Sequence, residues 1–218
     1  MSFRNMARKI KKNIINPLLN DEKSNKRAGK YNREAAKAYA EMHAEIPNAN
    51  KYPLFKGDDC TNFISQVLFA GGMEMRGQDY GSYQSWFCYT KDEKQLKKIS
   101  LSWRSARYFK RYWGNENGFG QNAAKVFKKM TVLEALNDFN SLYDFLEIGD
   151  IVQYGDPQNY NHPYHSQVIH AKEYNLVLGQ NDLFMAQHSV NRKDVSLYDY
   201  LKLLQNKEIR YIYIYHIE

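Results

Sequence analysis

The chain has 218 residues, 43% of them hydrophobic and 15% aromatic, so it can bury one sizeable core and is too rich in apolar and ring surface for a disordered chain. A formal charge of +7 favours anionic partners such as lipid head groups or acidic polymers. No nucleic-acid motif accompanies the charge, and specific nucleic-acid binding is not expected.

Residues 1–30 gather basic side chains from Arg4 to Lys30 and set Phe3, Met6, Ile10 and Ile14 at helical spacing. This basic N-terminal arm suits an anionic membrane or envelope surface, with a loosely packed helix or tail as the plainer reading. Residues 31–218 are expected to form one domain, working as a monomer. No run of eighteen apolar residues occurs, and no apolar segment follows the N-terminal charges, so neither a spanning helix nor a secretory signal is expected and the compartment stays open.

From Tyr31 to Ile46, Tyr31, Ala35, Ala36, Tyr39, Ala40 and His43 mark an alanine-rich amphipathic helix that Pro47 stops. A connection carrying Tyr52, Pro53 and Phe55 leads to Gly57-Asp58-Asp59-Cys60, where two acidic cap residues open a short helix closed by Gly71-Gly72. An aromatic region, Tyr80 to Tyr89, holds Trp86 and Cys88, and a charged loop spans Lys91 to Lys98. A helix capped by Ser102 is expected to run to Trp113 before Gly114, and one or two short helices to lie between Asn122 and Phe145.

From Ile148 the period changes. Ile148–Tyr154, Tyr164–Lys172, Asn175–Leu178, Leu183–Ser189 and Ile209–Ile217 read as strands, the last alternating Tyr211, Tyr213 and Tyr215 with Ile212, Ile214 and His216. Helices first and strands second give an α+β fold with an antiparallel sheet.

The first turn of a helix is a chemical position for a thiol, because its free N–H groups and positive dipole end favour thiolate. On that ground Cys60 is expected to titrate well below the ordinary thiol value of about 8.5. The plainer reading is a core cysteine in the i, i+4 row Cys60, Ile64, Leu68. Asp58 and Asp59 are assigned to capping and salt bridging, and the Cys60 N–H to an oxyanion. Cys88, between Phe87 and Tyr89, reads as packed and inert, and the two cysteines show no CxxC spacing that would suggest a structural zinc.

A cysteine nucleophile needs a base and a group to orient it. His165 opens a strand after a turn, at a sheet end suited to facing a helix N-terminus, whereas alternation sends His170 to the other face. His188 ends the next strand and is the candidate orienter, with Gln187 and Asn191 as competitors. His43, His162 and His216 read as structural or surface residues.

Tyr31-Asn32-Arg33-Glu34-Ala35-Ala36, Asp59-Cys60-Thr61-Asn62-Phe63-Ile64-Ser65-Gln66, Ala70-Gly71-Gly72, Ser102-Trp103, Gly149-Asp150-Ile151-Val152-Gln153-Tyr154, His165-Ser166 and Gln187-His188-Ser189 occur in that order. They resemble the bacterial amidase domain family, akin to papain-like cysteine amidases of the NlpC type and of the cysteine- and histidine-dependent amidohydrolase/peptidase type. The resemblance implies a papain-like fold whose nucleophile heads a helix packed on the sheet. It implies Cys60 as nucleophile, His165 as base, His188 as third member, and hydrolysis of a peptide or peptidoglycan-like amide through a thioester without metal or organic cofactor. Two other readings remain: a silent binding module for an anionic surface or polymer, and an acyl or amide transferase. Trp86 and Trp103 are a groove wall or core.

Overall fold

The computed structural model describes residues 31–118, 120, 124–205 and 208–218, so the basic arm of residues 1–30 lies outside the described residues. The first helix, α1 (Arg33–His43), starts where the Asn32 side chain accepts the Ala35 N–H at 3.0 Å. Ala36 and Ala40 are fully buried along it, and such small side chains allow close packing on the next helix. That helix, α2 (Cys60–Ala70), is buried from Cys60 through Leu68. A helix buried on all sides is a central element rather than an amphipathic surface one.

Two short helices follow, α3 (Leu101–Arg104) and α4 (Ala106–Trp113). They break at Ser105, whose backbone is extended, and the first starts from Ser100 rather than Ser102. Ser102 is buried and donates to the Ser85 carbonyl, so its hydroxyl serves the loop before it and not a helix end. Trp86, Trp103 and Trp113 are fully buried in one aromatic cluster, with Trp86 and Trp103 centroids 4.7 Å apart. Trp86 and Trp103 are therefore core, not groove wall.

The remaining elements are β1 (Val126–Thr131), α5 (Val132–Asn137), α6 (Phe139–Phe145), β2 (Ile151–Asp156), β3 (His162–Asn175), β4 (Gln180–Gln187), β5 (Arg192–Ser196), α7 (Leu197–Leu204) and β6 (Tyr211–His216). The strands form one antiparallel sheet in the order β1-β6-β2-β3-β4-β5. An α+β architecture with a helical first part and an antiparallel sheet is thus what the chain forms.

Three local readings change. The segment from Asn122 to Phe145 holds the two short helices expected, α5 and α6, but also β1, an edge strand whose Lys128 and Lys129 lie over the rings of Phe145 and Tyr211; lysines on an edge blunt further pairing and mask the strand pattern. Asn175–Leu178 is no strand, because the Asn175 side chain accepts the N–H groups of Val177 and Leu178 and bends the chain into the β3–β4 turn. The strand β5 and helix α7 carry too little apolar alternation and length to stand out before the fold exists.

Both sheet faces are covered. Ile151, Val168, Tyr213 and Tyr215 face a core built with Ala36, Phe63, Val67, Trp103 and Phe109 of α1–α4. Val152, Tyr154, Ile169, Met185, Ile212 and Ile214 face a second core with Val132, Phe139, Leu142, Leu197 and Leu201 of α5–α7. This explains the unbroken apolar run of β6, since a strand covered on both sides has no wet face.

The turn before β2 ties the helical part to the sheet. Asp150, fully buried, accepts from Arg33 at 2.9 Å, His216 at 2.7 Å, the Glu147 N–H at 2.9 Å and the Ile217 N–H at 3.0 Å. Gly149 before it has φ +88°, and a Cβ there would come within 2.8 Å of the Tyr31 hydroxyl. The Gly149-Asp150 pair is thereby explained as a clasp. Asp150→Ala is expected to cost about 3–5 kcal/mol, since Arg33 loses its buried partner; urea unfolding of the variant against the parent chain measures it.

Candidate active site

Asp59 is in the N-cap position of α2, yet its carboxylate makes no cap hydrogen bond. One oxygen accepts the Phe55 N–H and the Asn62 amide, both at 2.9 Å, and the other meets His188 Nδ1 at 2.5 Å. The assignment of Asp59 to capping is corrected accordingly, and its salt bridge goes to His188. A carboxylate folded over the first turn would occupy the donors there and place negative charge beside the sulfur. Turned away, it leaves those N–H groups to other work.

Cys60 is 6% exposed. Its sulfur lies 3.8 Å from the Thr61 hydroxyl, which lies 3.1 Å from the Ser166 hydroxyl. Gln153 donates to that serine oxygen at 2.8 Å and accepts from the Tyr215 hydroxyl at 2.6 Å. Because Ser166 accepts from Gln153, its own hydrogen is free to pass toward Thr61, and the Thr61 hydrogen toward sulfur. A buried polar chain from Tyr215 therefore ends on the thiol.

Burial pushes the Cys60 thiol up, while the hydroxyls and backbone N–H groups of Thr61 and Ser166 pull the other way without prevailing. This reverses the expectation of a depressed value: the helix end supplies donors, but desolvation of the thiolate is the larger effect. Cys88 donates to the Thr90 carbonyl at 3.3 Å and is pushed up to about 11 by burial, in keeping with a packed thiol.

His165 stands one residue before Ser166 on β3. Its Nε2 lies 3.1 Å from Gln187 Oε1. The orientation of that amide is fixed twice over: Gln187 Nε2 donates to the Val190 carbonyl at 2.9 Å, and Gln187 Oε1 accepts from Gln167 Nε2 at 2.5 Å. Gln167 in turn accepts from the Tyr154 hydroxyl. His165 must therefore donate through Nε2, which leaves Nδ1 as the acceptor nitrogen. Burial lowers the His165 pKa and the Gln187 bond partly offsets it, so the ring is neutral at neutral pH. The rings of Tyr154, Tyr164 and Tyr200 surround it at 6.1, 6.4 and 6.2 Å. Burial foremost, then the Tyr164 phenol, raise the Tyr200 hydroxyl; Cys60 adds a smaller part, which puts the sulfur in the same electrostatic neighbourhood.

His188 is placed elsewhere. Its Nδ1 meets Asp59, its Nε2 lies 2.8 Å from the His43 carbonyl, and its ring stacks on Phe63 at 4.0 Å. Both partners are acceptors, so the ring satisfies both only with a hydrogen on each nitrogen. With both nitrogens engaged it does not hold His165; the polar group that does is Gln187. The next residue, Ser189, has φ +83° and accepts the Asp59 N–H at 3.1 Å. Left-handed backbone at a non-glycine residue persists where surrounding structure imposes it. His170, on the other face of β3, meets Glu41 at 3.4 Å and Asp194 at 3.0 Å and takes no part.

Sequence reasoning passed over Thr61, Ser166 and Tyr200. The first two sit beside Cys60 and His165 in the chain, and that adjacency was the available signal. Tyr200 comes from a helix that was not anticipated.

YhbB, an uncharacterized protein of Bacillus subtilis (strain 168), is 38% identical over 102 residues, 46% of this chain and 29% of its own length. YjcM, another uncharacterized protein of that organism, is 54% identical over 43 residues, 20% of this chain and 10% of its own. The matched stretches thus span less than a third of the curated relatives. No solved structure matches. The family model described as "Putative amidase domain" matches residues 30–215, nearly all of the chain, and the protein belongs to that family.

Proposed function

We propose that the protein is a papain-like cysteine amidase in which Cys60 is the nucleophile, His165 the base and Gln187 the orienting third residue. The observation that carries the reading is a buried thiol at a helix N-terminus against Ser166, whose chain neighbour His165 has its Nε2 occupied and its Nδ1 left to act. In this reading Gln187 takes the role expected of His188, which instead holds Asp59 and the approach to α2.

The resting pair is neutral thiol and neutral imidazole, since burial raises one and lowers the other. Cys60 attacks an amide carbonyl as its proton passes to His165 Nδ1. First-turn N–H groups of α2, the Cys60 N–H foremost, steady the oxyanion. His165 then gives that proton to the leaving amine, the C–N bond breaks, and a thioester remains. Water adds with its proton taken by His165, and the C–S bond breaks to give the carboxylic acid and restore the thiol. Peptide amides and peptidoglycan fragments are the substrates to assay, with mass spectrometry of the products distinguishing water from an amine or alcohol as acyl acceptor.

Cys60→Ala is expected to abolish hydrolysis with an unchanged thermal melt, and His165→Ala to slow it by about 10²–10⁴-fold; undiminished turnover in Cys60→Ala overturns the mechanism. Alkylation by iodoacetamide, followed by mass spectrometry, reads the thiol without a substrate. A raised pKa means that thiolate accumulates only as pH climbs past the ordinary value, so labelling of Cys60 should still be increasing above about pH 8.5. Ser166→Ala removes the hydroxyl donor that favours thiolate, keeping the backbone N–H, and should move that rise further up. A labelling plateau between pH 5 and 7 would show a preformed thiolate and contradict the neutral pair.

Gln187 and His188 separate by their costs. Gln187→Ala removes three neutral hydrogen bonds, to His165, Gln167 and the Val190 carbonyl, each worth about 1 kcal/mol of stability, and by freeing the His165 ring should lower kcat by about 10²-fold. His188→Ala leaves the Asp59 charge buried without its partner and should cost about 3–5 kcal/mol in urea unfolding. A larger loss of kcat in His188→Ala than in Gln187→Ala, at a temperature where both variants are folded, would return the orienting role to His188.

A further inference from the structure

A cavity of about 530 Å³ flanks the turn into α2, lined by Leu54, Phe55, Lys56, Asp58, Glu93 and Arg104. Arg104 is half-buried at the end of α3, and its Nε is enclosed with no hydrogen-bond partner among the described residues. Burial disfavours its charge, and the group that acts on it electrostatically is the Tyr80 phenol rather than a carboxylate. An enclosed guanidinium donor without an acceptor is costly, and evolution normally removes or pairs it. Here the arginine that carries the unpaired donor lines a space large enough for a side chain of a bound peptide. The acids on the same wall, Asp58 and Glu93, are exposed, as is Lys56, so water screens them far more than it screens Arg104. Leu54 and Phe55 supply apolar wall, and the Phe55 N–H is tied to Asp59, one residue before the nucleophile. The cavity is therefore fastened to the same loop that sets Cys60.

We propose that this cavity is a substrate subsite in which Arg104 binds a carboxylate, so that the favoured substrates are peptide amides bearing an acidic side chain or free carboxylate close to the scissile bond. The proposal rests on the amidase reading for its substrate class, but its ligand chemistry stands on Arg104 alone. A guanidinium presents parallel N–H donors matched to the two oxygens of a carboxylate, and a terminal or side-chain amide of the same shape offers only one acceptor. Discrimination between the two is accordingly built into the arginine. The apolar wall accepts the methylene stem that carries the carboxylate.

The test uses the full chain and two sets of blocked peptide amides, identical except for Glu against Gln and Asp against Asn at each position flanking the scissile bond. Competition kinetics should show kcat/KM at least about tenfold higher for some carboxylate peptide than for its amide twin. In Arg104→Gln that ratio should fall to near one, with kcat/KM on the amide peptides changed less than about twofold. Arg104→Lys, which keeps charge but not the fork, should retain part of the preference and guards against a folding defect in the first variant. No preference for carboxylate in the parent chain, or a preference that survives Arg104→Gln, overturns the subsite while leaving the amidase reading intact. Should no peptide be cleaved, calorimetric binding of the same pairs to the Cys60→Ala chain decides: carboxylate-selective binding lost in Arg104→Gln supports the subsite although the amidase reading has failed, and unselective or absent binding overturns the subsite.

Discussion

The buried contact between Asp59 and His188 is the constraint on which the site depends. It joins the residue before Cys60 to the end of β4 across 129 positions of chain, at 2.5 Å, with both side chains almost wholly enclosed. A buried charge pair of this kind adds little net stability compared with apolar packing, but it is severe in what it forbids, because neither member tolerates the other's absence. Here it forbids the α2 N-terminus from sliding or rotating against the sheet. The same contact draws the Asp59 carboxylate off its own helix, so one interaction both fixes Cys60 in place and clears the first-turn donors around it.

Burial and helix-end electrostatics compete at Cys60, and burial prevails. A helix N-terminus favours an anion by a fraction of a kcal/mol up to about 2 kcal/mol, whereas removing a thiolate from water costs more unless a cation stands beside it. His165 does not supply that cation at rest, since burial holds it neutral and Gln187 offers it a neutral amide oxygen rather than a carboxylate. In the proposed mechanism thiol and base are thus matched in the sense that neither is charged before substrate arrives. Charge separation is then confined to the reaction, where the polar chain through Thr61, Ser166 and Gln153 and the free helix donors can meet it.

Much of the framework was legible because it follows from local rules. The capped start of α1, the glycine-bounded α2 and the alternation of β6 are written in short segments, and so is the place of Cys60; His165 was expected to open its strand, whereas β3 begins three residues earlier at His162. What was not legible depends on contacts between distant segments. Nothing in Gln187-His188-Ser189 alone says which of two adjacent polar side chains will face which core, since a one-residue change of register exchanges them. The bulge between Met185 and Gln187 is part of that register. The lysines of β1 hid an edge strand, and the charge state of Cys60 depended on how much protein encloses it, which no neighbour in sequence reports. The lone Arg104 likewise looks like any helix cation until the wall around it is built.

Three consecutive residues show why fold and site cannot be separated here. Gln187 faces the α5–α7 side and holds His165. His188 faces the α1–α4 side, stacks on Phe63 and holds Asp59. Ser189, in left-handed backbone, turns the chain and takes the Asp59 N–H. The proposed base and nucleophile are therefore approached from opposite faces of the sheet, as His165 and Ser166 must be on alternating positions of one strand. Two groups on opposite faces of a strand can serve a single reaction only where the sheet ends, because elsewhere the backbone and its neighbours stand between them. At His165 and Ser166 β3 is still paired with β2 but no longer with β4, so on the β4 side the sheet has ended. In the proposed mechanism one polar triplet at the end of β4 therefore holds both His165, through Gln187, and the residue before Cys60, through His188 and Ser189.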